Sequence, residues 1–185
     1  MQFYFRTDLR DLKRFEDAVV KLGSGEIAKI TLYTLRDVGN KAFTEVKHMT
    51  MQQLGLRVGD AGGAWRVERP YVGHLFYTIE GSGKFFGLEY FGAHATRRFM
   101  GRGKLAGGGV TAAPWNKARL FPKAFFAGDQ VFKRVGPDRH DIKKMFGGAV
   151  PREMERDEVP KIARHYAEEV FPEAFFRKVE QFLPR

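Results

Sequence analysis

The chain has 185 residues, of which 43% are hydrophobic, and its 32 Lys and Arg against 22 Asp and Glu give a formal net charge of +10. This length suits one domain, and the positive charge indicates an acidic partner or plain solubility. The absence of cysteine excludes disulfides, thiol catalysis and cysteine-based zinc sites. Neither a secretion signal nor a run of about 18 apolar residues is present, so we expect a soluble protein. The 18 Phe indicate large rings that are buried within the subunit or against neighbours.

Apolar residues at helical spacing predict two N-terminal helices. The first covers about 9–22 and ends at Gly23. The second begins at Ser24, ends near Leu54 with Gly55 beyond it, and is about 45 Å long at roughly 1.5 Å per residue. Its apolar stripe consists of Ile27, Ile30, Leu35, Val38, Ala42, Val46 and Met49. Gly39-Asn40 in its interior indicates a bend or a close approach of another backbone.

The middle of the chain predicts two β-hairpins. In the first, residues 74–80 and 84–92 flank the turn residues Gly81-Ser82-Gly83. In the second, residues 123–136 are rich in Phe and Val around Gly128-Asp129. A final helix follows over about 157–183, with an apolar stripe that ends at Phe182 and a bend or division expected at Pro172. The predicted fold class is therefore α+β, as a single domain over 1–185 with long N-terminal helices, an antiparallel sheet from two hairpins and a C-terminal helix.

The stretch Gly101–Gly109, "GRGKLAGGG", begins like a dinucleotide-binding turn, but its context excludes that reading. No helix follows, because Gly107, Gly108 and Gly109 each cost about 1 kcal/mol in a helix. Residues 90–128 contain seven Lys and Arg and no Asp or Glu, so the ribose-binding carboxylate is missing too. We interpret residues 97–113 as a flexible, glycine-rich basic arm that faces a partner or DNA, and its candidate contact residues are Arg97, Arg98, Arg102 and Lys104.

No pattern in the chain predicts catalysis. The five His are scattered, and Asp138, His140, Asp141 and Lys143 are too closely spaced for the two halves of a nuclease core, which favours a polar turn. We therefore expect no catalytic residue, cofactor or metal. Basic residues interleaved with aromatic rings between 97 and 123 keep nucleic-acid binding open as the alternative function.

Three segments, "LRDVGNKAFTEV", "AAPWNKARLFPKAFFAGDQVFKRVG" and "FGGAVPREM", resemble in order and spacing the minor tail protein Z family of long-tailed, lambda-like phages and prophages, also described as tail completion proteins. The resemblance extends from about Leu35 to the C-terminus and departs at Asp141 and Gly148-Ala149. Its central signature contains the candidate packing or interface residues Trp115, Phe121, Phe125, Phe132 and Pro151.

The resemblance implies a non-enzymatic virion protein of the tail and neck, present in the host cytoplasm during assembly. It implies a ring, with hexameric symmetry as the match to a phage tail, at the head-proximal end of the tail. The implied partners are further copies of the chain, a tail terminator or tail tube protein, head–tail connector proteins, and genomic DNA in the channel. A neighbouring terminator or connector ring is an alternative position within the same virion.

Overall fold

A computed structural model describes residues 20, 23–83, 85–100, 104–138 and 140–182, with the backbone alone at 24, 61, 97–100 and 104–107. These residues form two compact units. The first holds the described residues of Met1–Met49, Trp65–Gly81 and Met154–Arg185, and the second those of Thr50–Ala64 and Ser82–Glu153. The α+β class is confirmed, since the chain combines helices with antiparallel strand pairs and has a C-terminal helix.

Helix α1, Ser24–Leu54, begins and ends where the sequence predicts. Gly55 follows it at φ 79°, a left-handed conformation that glycine adopts without a steric cost. Most of the predicted stripe is buried, and Met49 is half-buried. The predicted helix over 9–22 lies outside the described residues, apart from residue 20.

Gly39 lies inside α1 because an aromatic ring packs on it. A Cβ atom at Gly39 would lie 2.3 Å from Cδ2 of Tyr77. The Tyr77 hydroxyl donates a hydrogen bond to Oδ1 of Asn40 at 2.9 Å, which holds the ring in place. The close approach expected at this glycine is therefore made by a side chain, not by another backbone.

The C-terminal part of the first unit is helical but changes its hydrogen-bond pattern in the middle. Helix α3 is Val159–His165, a π-helical turn covers Tyr166–Val170, and helix α4 is Phe171–Phe182. Pro172 has no N–H to donate four residues back, and the π turn immediately before it accommodates that loss. The inner residues of α4 pack against the start of α1 in a core of Ile27, Ile30, Phe175 and Val179. Phe182, expected to face inward, is 52% exposed.

Strand pairing differs from the first predicted hairpin. Strand β1, Trp65–Glu68, pairs antiparallel with β2, Thr78–Gly81, whereas β3, Phe85–Gly87, pairs with a strand near the end of the second unit. Pairing of β2 with β3 was therefore the wrong prediction. The physical reason is burial: Ile79 of β2 is buried in the first unit and Phe86 of β3 in the second, so the glycine turn joins two units.

The second unit consists mainly of short antiparallel strands. One sheet has the order β4 (His94–Met100), β5 (Lys104–Ala112), β6 (Arg119–Pro122), and another has β7 (Ala124–Ala127), β8 (Gln130–Arg134), β9 (Ile142–Lys144). Strand β10, Phe146–Ala149, pairs with β3 and leads into helix α2, Val150–Met154. The predicted hairpin around Gly128-Asp129 is confirmed as β7 and β8. Short 3-10 helices cover Val58–Ala61, Leu88–Phe91 and Pro114–Asn116.

Candidate interaction surfaces

The loop between β1 and β2 exposes an aromatic surface on the first unit. Tyr71 and His74 exchange backbone hydrogen bonds of 3.0 and 2.9 Å, and their rings stack with centroids 5.1 Å apart. The Phe76 ring lies 5.1 Å from that of His74. Tyr71, Val72 and Phe76 are 59%, 83% and 62% exposed. Clustered exposed apolar side chains mark interaction sites, and we call Tyr71, Val72, His74 and Phe76 the aromatic loop.

A cavity of about 520 Å³ in the first unit shares its wall with this loop, and its other walls come from α1, β1, β2, α3, the π turn and the start of α4. Burial raises the pKa of Tyr77, and the charge of Arg69 partly opposes this shift. The Tyr166 hydroxyl donates to Oε1 of Glu45 at 2.8 Å, and burial together with this bond to a carboxylate raises the pKa of Tyr166 to about 12. Both shifts favour the protonated phenol, which donates the hydrogen bonds to Asn40 and Glu45.

Carboxylates are concentrated on the π turn and the start of α4. Residues 166–176 contain Glu168, Glu169 and Glu173 and no Lys or Arg, and all three carboxylates are exposed. Glu168 lies 4.0 Å from Nε of Arg164, and Glu169 lies 3.0 Å from Nδ1 of His165. Exposed ion pairs of this kind contribute about 0–1 kcal/mol and leave the carboxylates accessible. We call Glu168, Glu169 and Glu173 the acidic face.

The turn Pro114–Asn116 has an unusual backbone in the second unit. Trp115 and Asn116 both have φ 56°, a conformation that costs non-glycine residues about 1–2 kcal/mol each. Nε1 of Trp115 donates to Oε1 of the buried Glu153 at 2.9 Å, and Nδ2 of Asn116 donates to the carbonyl of Gln52 at 2.8 Å. These bonds hold the strained turn against the end of α1 and against α2.

An open groove of about 840 Å³ lies along β8, β9 and β10 in the second unit. We call it the lysine groove, and it is lined by Phe85, Lys133, Arg134, Lys143, Lys144 and Phe146, together with Val135, Met145 and Gly147. None of the described residues that line it is acidic. The Phe85 and Phe146 rings lie 6.3 Å apart, and Nζ of Lys144 lies 5.6 Å from the Phe146 centroid. Lys144 is also 3.0 Å from Oε1 of Glu89, so its charge is partly neutralised within the unit.

The predicted basic arm coincides with the hairpin of β4 and β5. The backbones of Arg97 and Arg98 lie in β4 and that of Lys104 in β5, paired with Met100, whereas Arg102 lies outside the described residues. A Cβ atom at Gly109 would lie 2.4 Å from the carbonyl oxygen of Phe121 on β6. This glycine therefore permits two strands to approach, which explains its presence without a phosphate ligand.

The five predicted packing residues all lie in the second unit and are all half-buried: Trp115, Phe121, Phe125, Phe132 and Pro151. Phe125 and Phe132 are cross-strand partners with centroids 6.5 Å apart. The Arg134 guanidinium lies 5.8 Å from the Phe125 centroid. Trp115 is connected to α2 through Glu153, as given above. The structure thus brings Phe125 and Phe132 together, and it anchors Trp115 to α2.

Three surfaces were not found from sequence: the aromatic loop, the lysine groove and the acidic face. Gly73 inside an apolar run was a signal for the first, because glycine there turns the chain at φ 89° and prevents one continuous strand. The glutamates of the acidic face are visible in the sequence, but charged residues on a predicted helix usually form an ordinary solvated surface. The groove had no local signal, because Lys133 and Lys143 meet only through strand pairing.

Among the residues that the structure describes, no group of three or more His, Asp or Glu is placed to hold a metal ion. Within the same residues, no helix is both long and apolar enough to cross a membrane. No protein-family model, curated protein or solved structure matches the chain.

Proposed function

We propose that this chain is a structural, non-enzymatic virion protein that forms a ring at the head-proximal end of a phage tail. The ring completes the tail and permits head–tail joining. The ordered resemblance to the minor tail protein Z family, from about Leu35 to the C-terminus, supports this assignment. The proposal places the protein in the virion, and in the host cytoplasm during assembly.

The observation that carries the ring is the presence of two unlike exposed surfaces on one chain. A closed ring is built from heterologous contacts, in which one surface of a subunit meets a different surface of the next. The aromatic loop of the first unit is apolar and exposed, whereas the lysine groove of the second unit is cationic. Two surfaces of different chemistry suit contacts with a neighbouring copy and with other virion proteins better than a symmetric dimer does.

The expected partners are other copies of the chain in a hexamer, a tail terminator or tail tube protein, and head–tail connector proteins. Genomic DNA in the channel is a further expected contact of the basic arm.

Cryo-electron microscopy of purified virions or tails tests the proposal. We expect side-chain density for this chain in a ring between the tail tube and the head. Density at the terminator or connector level would keep the ring but change its position, and absence from every particle would refute the structural role.

The arm is tested separately by charge reversal of Arg97, Arg98, Arg102 and Lys104 together. We expect a folded subunit whose particles join heads to tails less efficiently, because the arm no longer attracts acidic protein or DNA. Reversal of four exposed positive residues outside the arm, Lys29, Lys41, Arg57 and Arg177, is the control for altered net charge. Full infectivity of the arm variant would remove the arm from the function.

A basic nucleic-acid-binding protein that acts alone is the second candidate, favoured by the lysine groove and its two exposed Phe rings. It predicts a monomer or dimer whose affinity for DNA falls steeply with salt, because each phosphate contact releases counterions. Fluorescence anisotropy with labelled DNA over a salt series, combined with sedimentation velocity, separates it from the ring.

A further inference from the structure

The lysine groove contains a like-charge pair that the fold does not neutralise. Lys133 of β8 and Lys143 of β9 are direct cross-strand partners, so their side chains lie on the same face of the sheet. Like charges directly opposite each other in an antiparallel pair are destabilising. Neither lysine side chain has a hydrogen bond or an ion pair to any residue that the structure describes.

This arrangement becomes favourable when an anion enters the groove. Arg134 also lines the groove, but as the neighbour of Lys133 on β8 its side chain leaves the opposite face of the strand, where it lies over Phe125. The acids of the connecting loop, Asp138 and Asp141, are not among the residues that line the groove. A ligand that neutralises both lysines supplies two negative charges.

The chain itself carries a segment with that chemistry. Residues 166–176 hold the largest set of acids in the sequence that no Lys or Arg interrupts. All three carboxylates of the acidic face are exposed within the described residues of the chain. Two of its three carboxylates lie on the π turn, and π turns inside α-helices are found frequently at functional sites.

We infer that the acidic face of one copy of the chain docks in the lysine groove of the next. Glu168, Glu169 and Glu173 then face Lys133 and Lys143, and Phe85 and Phe146 supply apolar area beside the charges. The contact is heterologous, since the groove belongs to one unit of the fold and the acidic face to the other. This inference rests on the proposed function, because it names the contact that joins neighbouring subunits of the ring.

Reversing the charges of the lysine groove or of the acidic face tests the contact. Self-association of the full-length protein is measured by sedimentation velocity. The groove variant is Lys133→Glu with Lys143→Glu, and the face variant is Glu168→Lys, Glu169→Lys and Glu173→Lys. We expect each variant alone to raise the Kd of self-association by about tenfold or more at about 0.15 M salt, because like charges then meet. The control is Lys29→Glu with Lys41→Glu, which removes the same charge from exposed positions of α1 and should associate like the unmodified protein.

A mixture of the two variants provides the decisive result. The reversed groove of one is complementary to the reversed face of the other, and the two unmodified surfaces also match, so an equimolar mixture should assemble again. Circular dichroism of each variant shows that it is folded. Unchanged association of both single variants, or no recovery on mixing, would overturn the inference.

Crosslinking provides a test that does not depend on the strength of self-association. Because the chain has no cysteine, Lys143→Cys combined with Glu169→Cys should give a ladder of joined subunits with a short bismaleimide crosslinker in assembled particles. Lys41→Cys with Glu169→Cys is the matched pair that should give none. A ring seen in virions without this ladder would refute the inference and leave the proposed function intact.

The converse result also separates the two proposals. Recovery on mixing in solution, together with absence of the chain from every particle, would support the contact and refute the tail function. If the groove variant loses DNA binding while self-association is unchanged, the groove binds phosphates and the inference is wrong.

Discussion

The two units of this protein are stabilised by contacts of very different sequence range. In the first unit, Tyr166 bonds to Glu45, 121 residues away, and Lys178 pairs with Asp37, 141 residues away. In the second unit, β4, β5 and β6 pair in chain order, and so do β7, β8 and β9. Consecutive strands therefore form these two sheets of the second unit from local segments, whereas the first unit, like the β3–β10 pair of the second, depends on segments that are distant in the chain.

Each unit nevertheless has a glycine on which a side chain or backbone from elsewhere packs, and each has a single tryptophan in the described residues. Gly39 and Trp65 belong to the first unit, and Gly55 and Trp115 to the second. Substitution of the glycine and the tryptophan of each unit therefore tests how packing stabilises that unit.

The largest effect is expected for Gly55→Ala in the second unit. The left-handed φ of 79° costs about 1–2 kcal/mol with a side chain, and the new Cβ would lie 2.9 Å from the backbone nitrogen of Asn116. We expect a total loss of about 3 kcal/mol of unfolding free energy, measured by urea denaturation. Gly73→Ala is the control, since Gly73 has φ 89° but no described atom near its Cβ position. Equal losses for the two variants would contradict a role for the contact with the strained turn.

In the first unit, Gly39→Ala should destabilise by about 2 kcal/mol, although alanine favours helix. The Tyr77 ring cannot move away easily, because its hydroxyl is bonded to Asn40. Gly25→Ala in the same helix, where no described atom lies within 4 Å of the Cβ position, should stabilise by up to about 1 kcal/mol. Thermal unfolding followed by circular dichroism measures both, and a rise in Tm for Gly39→Ala would show that the ring packs elsewhere.

The two tryptophans should respond differently to loss of the indole N–H. Trp115→Phe removes a donor from a buried carboxylate and should cost about 1.5 kcal/mol more than Trp65→Phe. Nε1 of Trp65 is buried but has no hydrogen-bond partner among the described residues, so its removal relieves an unsatisfied group. Both substitutions lose a similar ring volume, so the difference in urea midpoint isolates the bond. Equal midpoints would mean that the bond to Glu153 contributes nothing to stability.

The smallest effect concerns pH. The pKa of Tyr166 is raised to about 12 from 10.0. The protonated Tyr166 hydroxyl therefore makes its full contribution to the unfolding free energy below about pH 10, and this contribution is lost as the pH rises through about 12. Tyr166→Phe should remove this alkaline loss and cost less than about 1 kcal/mol at neutral pH. Urea midpoints at pH 9 and pH 11, about one unit below and above the ordinary pKa of tyrosine, measure this loss of stability.

Tyr33→Phe, at an exposed ring of α1, is the matched control for loss of a tyrosine hydroxyl. An alkaline loss that persists unchanged in the Tyr166 variant would assign it to another group.

Local patterns were sufficient for the elements that one stretch of chain defines. Ser24–Leu54 was predicted with both ends, because a long apolar stripe is bounded by Gly23 and Gly55. The β7 and β8 hairpin was predicted because its turn and both strands lie within residues 123–136. The glycine turn after β2 led to the wrong prediction that β2 pairs with β3. A turn signal is local, whereas the choice of strand partner depends on which core buries Ile79 and Phe86.

The candidate surfaces show the same limit. The signature residues were predicted to be packing or interface residues, and the structure shows that Phe125 and Phe132 are cross-strand partners. The lysine groove was not recognised, because Lys133 and Lys143 are ten residues apart in the chain. Only the strand register places their charges side by side. Whether the basic arm, Arg97, Arg98, Arg102 and Lys104, contacts DNA or acidic protein stays a prediction.

The α+β class, the extent of α1, the second hairpin and the basic excess around Gly101–Gly109 can all be read from the amino-acid sequence. These features follow from periodicity, turn residues and composition, each of which acts within a short window. The structure was needed to show that Gly39 lies under Tyr77, that β3 pairs with β10 and that Lys133 lies opposite Lys143. The physical reason is that burial and register are properties of segments far apart in the chain, and the free energy of their contact is not encoded in either segment alone.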